Sequence, residues 1–316
     1  MTPAEAILSA ANAATGSEFP PDLIDAINAI GDLPEEERFA AQASLIQSLP
    51  EITSPSGAGM LAVWLGAGVE RGADPQPAIA PMLATLLRWS REVATDADGG
   101  GAGPDGDLDT GMQMLGQGMV AHLSRAPEQI AEIQKRAEVV TELERAEPHS
   151  VGVTWVLELL RQQSGELVVL HATERAGFRL AYHNLSNCFH LFTLIQGALA
   201  GKMPGSRKAS EETLAVARGE LDQAASDDAW WHFGQADVPS ADLSGMIFGE
   251  AGPDSIASID GQQVLLLWPP VMGSRGWDGG FFGPILHARP PKVALLSPLA
   301  GPEVARWYTR LGLGSA

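Results

Sequence analysis

The spacing of apolar residues changes near residue 149, and this change limits the folds open to the chain more than any other feature. Up to about residue 148, apolar residues recur three and four positions apart, as they do in amphipathic helices. After His149 the sequence contains runs in which apolar and polar residues alternate, as they do in β-strands. The chain of 316 residues is also long enough for two cores. We therefore expect an all-helical domain at residues 1–148 and a sheet-containing domain at residues 149–316.

The second domain is predicted to be α+β, with a mostly antiparallel sheet and packed helices. Residues 165–186, "GELVVLHATERAGFRLAYHNLS", hold two alternating runs around a turn, which indicates a hairpin. An apolar helix follows at residues 187–201, with Ser186 or Asn187 as its cap. Further strands are predicted at "AWWHFGQ", "GMIFGEA", "QQVLLLWP" and "KVALLSP", and a closing helix at "GPEVARWYTRLG". This order of elements is typical of α+β domains.

Residues 95–111, "TDADGGGAGPDGDLDTG", are mainly glycine and aspartate and offer little apolar surface to bury. We predict a mobile loop or linker within the acidic N-terminal domain. Two ligand-binding patterns match poorly. "GAGPDG" fits G-x-G-x-x-G, but no strand precedes it and the aspartates would repel a pyrophosphate. "DGDLDTG" resembles a calcium loop, yet its glycine falls one place late and Gly116 takes the position of the bidentate glutamate.

Acidic residues dominate the charge of the chain, which carries −19 at neutral pH. Residues 1–150 hold 23 acidic and 8 basic residues, a balance of −15, and the remainder holds 16 and 12, a balance of −4. Proteins that bind nucleic acid neutralise phosphates with clustered Lys and Arg, and the sequence has no such cluster. We therefore expect neither nucleic acid nor an anionic membrane surface as a partner.

Three features predict a cytoplasmic protein. No apolar run reaches the length of a membrane span, and the first residues lack the basic flank of a signal peptide. Cys188 is the single cysteine, so no intrachain disulfide can form, which fits a reducing compartment.

Aromatic residues in a glycine-rich stretch mark the first candidate site. Residues 273–283, "GSRGWDGGFFG", place Arg275, Trp277, Phe281 and Phe282 among glycines. Exposed rings of this size each forgo roughly 2 kcal/mol of burial unless something covers them. The cover is either the protein's own sheet, or a bound peptide on which the rings close while Arg275 clamps a carboxylate or carbonyl.

The strand "AWWHFGQ" supplies further candidate aromatics. Strand alternation puts Trp231 and Phe233 on one face and Trp230 and His232 on the other. If one pair enters the core, the other is exposed and suits recognition of an extended peptide, with Trp230 and Trp231 as candidate contacts. Ordinary packing of both faces is the competing interpretation.

Histidines and the cysteine provide the case for an enzyme. His183 and His190 are candidate substrate contacts, and His190, Thr193 and Gly197 form a polar stripe that predicts one wet edge on an apolar helix. A metal site would need several histidines to converge, and His171 and His183 share a face only if the hairpin loop has three residues. Cys188, at a helix start, could be an activated thiolate. Packing roles are the commoner fate of such residues, so we expect no metal and no cofactor.

Three segments together resemble a family of uncharacterised bacterial proteins. They are "GFRLAYHNLSNCFHLFTLIQGAL", "IFGEAGPDSIASIDGQQVLLLWPP" and "LSPLAGPEVARWY", which span about half the chain. Some members of that family look like the paired peptide-binding maturation proteins of crocagin-type ribosomal peptide pathways. The resemblance implies a protein that binds a precursor peptide during its modification, together with a homologous or modifying partner protein.

The sequence has no G-x-S-x-G elbow, Walker loop, H-E-x-x-H or C-x-x-C motif, so the common hydrolase, NTPase and zinc templates fail. We therefore expect a peptide-binding protein that holds a ribosomally made precursor during modification or cyclisation. A metal- or thiol-dependent peptide-modifying enzyme is the first alternative. A homodimeric or higher scaffold that buries its aromatics at a subunit interface is the second.

Overall fold

The computed structural model describes residues 1–98, 106–221, 231–270 and 289–313. The chain divides into two compact units, Met1–Leu160 and Arg161–Ala316. Helices make up the first, here called the N-terminal unit, and the second, the C-terminal unit, holds the sheet, which confirms the α+β fold class. The division falls at 160/161 and not at 148/149, because the helix at Val151–Leu160 packs on other helices of the first unit. No helix in the described ranges is long and apolar enough to cross a membrane.

The helices of the N-terminal unit mostly begin at prolines or polar caps. Thr2 and Glu5 form a reciprocal capping box, with Glu5 N donating to Thr2 Oγ1 at 3.2 Å and Thr2 N donating to Glu5 Oε2 at 2.7 Å. The helices are α1 (Pro3–Ala13), α2 (Pro21–Gly31), α3 (Glu35–Ser48), α4 (Pro55–Glu70), α5 (Gln76–Asp98), α6 (Gly106–Leu123), α7 (Pro127–Gln134), α8 (Ala137–Ala146) and α9 (Val151–Leu160).

Helices α4 and α6 approach each other so closely that glycine is required between them. A Cβ atom on Gly118 would lie 2.5 Å from the carbonyl oxygen of Ala62, and one on Gly59 would lie 2.6 Å from the carbonyl oxygen of Gly111. Both distances are well inside van der Waals contact, so a larger residue would push the helices apart. Gly59 and Gly118 therefore serve helix packing.

The C-terminal unit is built on a mixed sheet. Its strands are β1 (Gln163–His171), β2 (Ala176–Leu185), β3 (His232–Gln235), β4 (Ser258–Ile259), β5 (Gln262–Trp268) and β6 (Lys292–Pro298). The strand order is β3-β5-β1-β2-β6, and β4 pairs with β5. Strands β1 and β5 run parallel, whereas every other described pair is antiparallel, which confirms the mostly antiparallel prediction.

Helices cover the two faces of this sheet. On β1, Leu167 and Val169 belong to the core that includes α10 (Cys188–Leu199), while Val168 and Leu170 belong to the core that includes α12 (Gly301–Leu311). A further helix, α11 (Glu211–Ala217), packs against α10. Because side chains alternate along a strand, the apolar run of β1 fills both cores.

The prediction of a loop at residues 95–111 is wrong at both of its ends. Helix α5 continues to Asp98 and α6 begins at Gly106, while residues 99–105 lie outside the described part of the chain. Asp107 explains the early start of α6, since its Oδ1 accepts from Gly16 N and from Ser56 Oγ, each at 2.7 Å. Asp107, one of the aspartates in the calcium-loop-like stretch, thus holds the start of α6 to the segments that contain Gly16 and Ser56.

The prediction of a strand at "GMIFGEA" is also wrong. Gly245 ends a short 3-10 helix, Met246 makes one isolated bridge with Gly234, and residues 249–251 form a turn. Their carbonyl groups instead accept from the start of α10, with Cys188 N donating to Ala251 O at 2.8 Å and Phe189 N donating to Gly249 O at 2.9 Å. The segment therefore satisfies the donors of a helix end, while Ile247 N donates to Phe233 O of β3 at 3.0 Å.

Candidate functional site

The sequence-predicted site residues fall into two groups. Five of them lie outside the described residues, so their placement stays a prediction: Arg275, Trp277, Phe281, Phe282 and Trp230. The other three, Trp231, His183 and His190, lie at three separate positions in the C-terminal unit.

Trp231 is a core residue that precedes β3. It is 3% exposed and shares the α10 face with Phe233, as the alternation predicts. Phe233 stacks on Phe192 with ring centroids 4.1 Å apart, and His171 meets Trp231 edge-to-face at 6.5 Å. His232 on the opposite face is buried as well, so neither described side of β3 presents an exposed ring.

Two ring nitrogens converge on the backbone of Gly205. The point where a Cβ of Gly205 would lie is 3.9 Å from Trp231 Nε1 and 3.9 Å from His171 Nε2. Within the described ranges, the buried indole N–H of Trp231 has no hydrogen-bond partner. The nitrogen is enclosed by protein, so this N–H does not face solvent.

His190 lies in the first turn of α10 and is buried. Asn187 caps the helix by accepting from His190 N at 3.0 Å. Burial lowers the pKa of His190 to about 4, so the ring is neutral at neutral pH. The prediction of a solvent-exposed edge along this helix is wrong. Thr193 is fully buried, and its hydroxyl donates to Phe189 O at 2.7 Å. The polar stripe faces protein and not solvent, because α11 and the sheet enclose α10.

His183 is exposed on β2, on the face opposite to His171. The pair His171 and Ala176 closes the hairpin with a four-residue loop, which is the case that separates the two histidines. Among the described residues, no group of three or more His, Cys, Asp or Glu side chains could hold a metal ion. The histidines therefore act singly where the structure describes them.

The surroundings of Cys188 do not favour a nucleophilic role for its thiol. The thiol is fully buried at the start of α10, and its Sγ lies 3.6 Å from the carbonyl oxygen of Gly252. Burial raises the pKa of Cys188 to about 12, so the thiol stays protonated at neutral pH. Desolvation outweighs the effect of the helix start here.

The outer edge of β6 is the feature that sequence reasoning missed. Across the described ranges, β6 pairs with β2 and with no other strand, so it ends the sheet. Its pairing register shifts between Leu180 and Arg179, which leaves Leu296 as an extra, half-exposed residue. The regular part of the edge is therefore Lys292–Leu295. Only the topology reveals such an edge, because an edge strand and an inner strand can share one sequence pattern.

Gln162, just before β1, and Asn184 of β2 hold the residues that lead into β6. Arg289 donates from Nε to Gln162 Oε1 at 2.9 Å and from Nη2 to Asn184 Oδ1 at 2.8 Å. Asn184 in turn donates from Nδ2 to Pro290 O at 3.2 Å. The chain therefore enters the edge strand from an anchored position, and the predicted aromatic segment precedes that anchor in sequence.

Two of the described candidates, His183 and Trp231, occupy opposite ends of the sheet. His183 pairs with Lys292 at the start of β6, whereas Trp231 and His171 lie near the end of β5. Gly165, near the His183 end, and His171 are six residues apart on β1, about 20 Å at the usual rise per strand residue. They cannot form one small site among themselves.

The described residues define an α+β protein with a mixed sheet, in which β6 pairs on one side only. Comparison with protein-family models, curated proteins and solved structures finds no match for this chain. Functional inference therefore starts from the chemistry of its own residues.

Proposed function

We propose that this protein binds an extended peptide segment, which pairs with the outer edge of β6 as an added strand. One observation carries the proposal: in the described part of the chain, β6 hydrogen-bonds on one side only, to β2. An edge strand presents unpaired N–H and C=O groups, and pairing with a guest backbone satisfies them without a defined guest sequence. The short regular stretch Lys292–Leu295 suits a brief extended segment.

Side chains next to this edge give the guest a chemical preference. His183 and Lys292 are both exposed and occupy paired positions on β2 and β6. Both carry nitrogen donors, which favour a guest with a carboxylate. Arg275, Trp277, Phe281 and Phe282, predicted from sequence to grip a peptide, belong to the segment that leads into β6.

The biological setting follows from the family resemblance. A ribosomally made precursor peptide would be held in an extended form while a partner protein modifies or cyclises it. The buried, protonated thiol of Cys188 gives the thiol-enzyme alternative no support. Pairing of β6 with a second copy is the scaffold alternative, and the test below separates it.

A selection with backbone-modified controls tests the proposal. Peptides selected from a displayed random library on the full chain would be resynthesised in two N-methylated forms, with the methyl groups on alternate residues and offset by one. In strand pairing, alternate N–H groups of the peptide bond to the partner strand, so only the form methylated at those N–H groups should lose affinity. The loss of two hydrogen bonds of roughly 1 kcal/mol each should weaken binding by about tenfold or more.

Equal affinity of both methylated forms, or failure to select any peptide, would contradict strand addition. Sedimentation of the free protein addresses the scaffold alternative. A dimer to which no selected peptide binds would assign the edge to a second copy, and would also contradict the proposal.

A further inference from the structure

The α10 face of β6 is apolar and only partly covered. Val293 and Leu295 of β6 pair with Tyr182 and Leu180 of β2, and they pack against the core that includes α10. Helix α10 packs on β6 as well as on β2, so this core reaches the last described strand of the sheet. Val293 and Leu295 are nevertheless half-buried and not fully buried. An apolar side chain on the outer side of β6 would remove more of their surface from water, which is favourable.

The opposite face of the same edge is exposed and carries a positive charge. Lys292 and Ala294 point to this face and are both exposed. Lys292 pairs with His183 of β2, which is exposed as well. Lys292 is also the one charged residue of β6 over its range Lys292–Pro298. A side chain beyond β6 on this face therefore lies next to a cation.

Two acidic side chains on this face leave that charge in place. Glu166 lies on β1, so three strand spacings, about 14 Å, separate it from a strand added beyond β6. Charges on an exposed surface are largely screened by salt over such a distance. Glu303 of α12 forms an ion pair with Arg179 of β2. Neither carboxylate therefore opposes a negative charge placed beside Lys292.

We propose that the segment added to β6 is an amphipathic strand, in which apolar side chains alternate with acidic ones. This inference rests on strand addition at β6, the function proposed above. Successive side chains of a strand point to opposite faces, so one alternate set lies on the side of Val293 and Leu295 and the other on the side of Lys292. Neighbouring strands are stabilised when apolar side chains face each other and when opposite charges do. A segment of uniform character would match one face only.

The library-selected peptides provide the first test. In a paired strand, the residues whose N–H groups bond to the partner all direct their side chains to one face, and the residues between them use the other face. The two N-methylated forms of each peptide therefore sort its positions into two sets. We expect one set to be mainly apolar and the other to be rich in aspartate and glutamate.

A rearranged peptide tests the alternation at constant composition. The residues of one selected peptide would be resynthesised with the apolar ones in one half and the acidic ones in the other. Each half then matches one face of β6 and mismatches the other. Calorimetric titration of the full chain should show binding weaker by about fivefold or more, because several cross-strand pairs are lost.

Two pairs of variants assign the faces of β6. Val293→Thr keeps the shape of the side chain but replaces a methyl group by a hydroxyl, and should weaken binding of a selected peptide about threefold. Val238→Thr is its control, at a valine of the same unit that is 48% exposed. Ala294→Lys adds a cation to the exposed face and should tighten binding about two- to fivefold. Ala305→Lys makes the same charge change on the exposed surface of α12 and should not.

The results separate this inference from strand addition itself. Peptides that are sensitive to one methylated form, but whose two sets have similar composition or whose rearranged form binds equally well, would overturn the inference and leave strand addition in place. Peptides without that sensitivity would overturn both. Equal effects of Ala294→Lys and Ala305→Lys would overturn the acidic face, and equal effects of Val293→Thr and Val238→Thr would overturn the apolar face.

Discussion

His183 of β2 lies directly opposite Lys292 of β6, beside the strand edge that has no second partner among the described strands. Cross-strand neighbours of this kind have Cβ atoms about 5 Å apart, so the two side chains can contact the same part of a bound peptide. His183 is also the one described residue of the predicted site that is exposed. The edge therefore combines an open backbone with a local preference for negative charge.

Charge reversal at this pair should weaken binding of an acidic peptide. We expect Lys292→Glu to lower the affinity of a selected carboxylate-bearing peptide two- to fivefold, because exposed pairs contribute about 0.2–1 kcal/mol. Lys208→Glu is the control, since it makes the same charge change at another exposed lysine of the unit. Titrations in low and high salt would measure both. Equal effects of the two variants would show that only net charge matters.

The glycine contact between α4 and α6 should be essential for stability. Gly118→Ala would place a Cβ 2.5 Å from Ala62 O, and we expect it to lower the free energy of unfolding by roughly 1–3 kcal/mol. Gly106→Ala on the same helix is the control, because an added Cβ there has nothing within 4 Å. Urea denaturation followed by circular dichroism measures both. Equal stability of the two variants would contradict the close packing.

Cys188 should react slowly with thiol reagents in the folded protein. Its pKa is raised to about 12 by burial, so little thiolate exists at pH 8, and the sulfur has no solvent contact. We expect the reaction with a chromogenic disulfide to speed up by orders of magnitude when urea unfolds the chain. Rapid reaction in the native state would reopen the thiol-enzyme alternative.

Acid should destabilise the protein through His190. Its pKa is about 4 when folded and near 6.5 when unfolded, so the unfolded chain takes up a proton first as pH falls. The stabilisation is complete above pH 6.5 and is lost between 6.5 and 4, by up to about 3 kcal/mol for this residue. Burial lowers the pKa of His122 and His171 too, with the same sign. Histidine NMR titration would check this, and a His190 signal that titrates near pH 6.5 would contradict it.

Local signals made much of the fold predictable. The hairpin, the Asn187 cap and the final helix ending at Gly312 all follow from residues close in sequence. Gly312 adopts φ +67, the left-handed conformation that ends a helix and favours glycine. Such features depend on neighbours a few positions away, which a single sequence contains.

The errors arose where distant partners decide the structure. "GMIFGEA" has a strand-like composition, but its carbonyl groups serve the start of α10. The polar stripe of α10 was predicted to face solvent because the spacing of apolar residues does not show that α11 packs against α10. The β6 edge escaped prediction for the same reason, since strand order is not encoded in any one strand.

Amide hydrogen exchange along β6 tests the central claim most directly. In the free protein we expect slow and fast amides to alternate over residues 292–295, because alternate N–H groups face β2 and the open edge. A selected peptide should slow the fast set and leave amides of α12 unchanged. Uniform protection of these four amides without peptide, or fast amides that stay fast when the peptide is bound, would contradict strand addition at this edge.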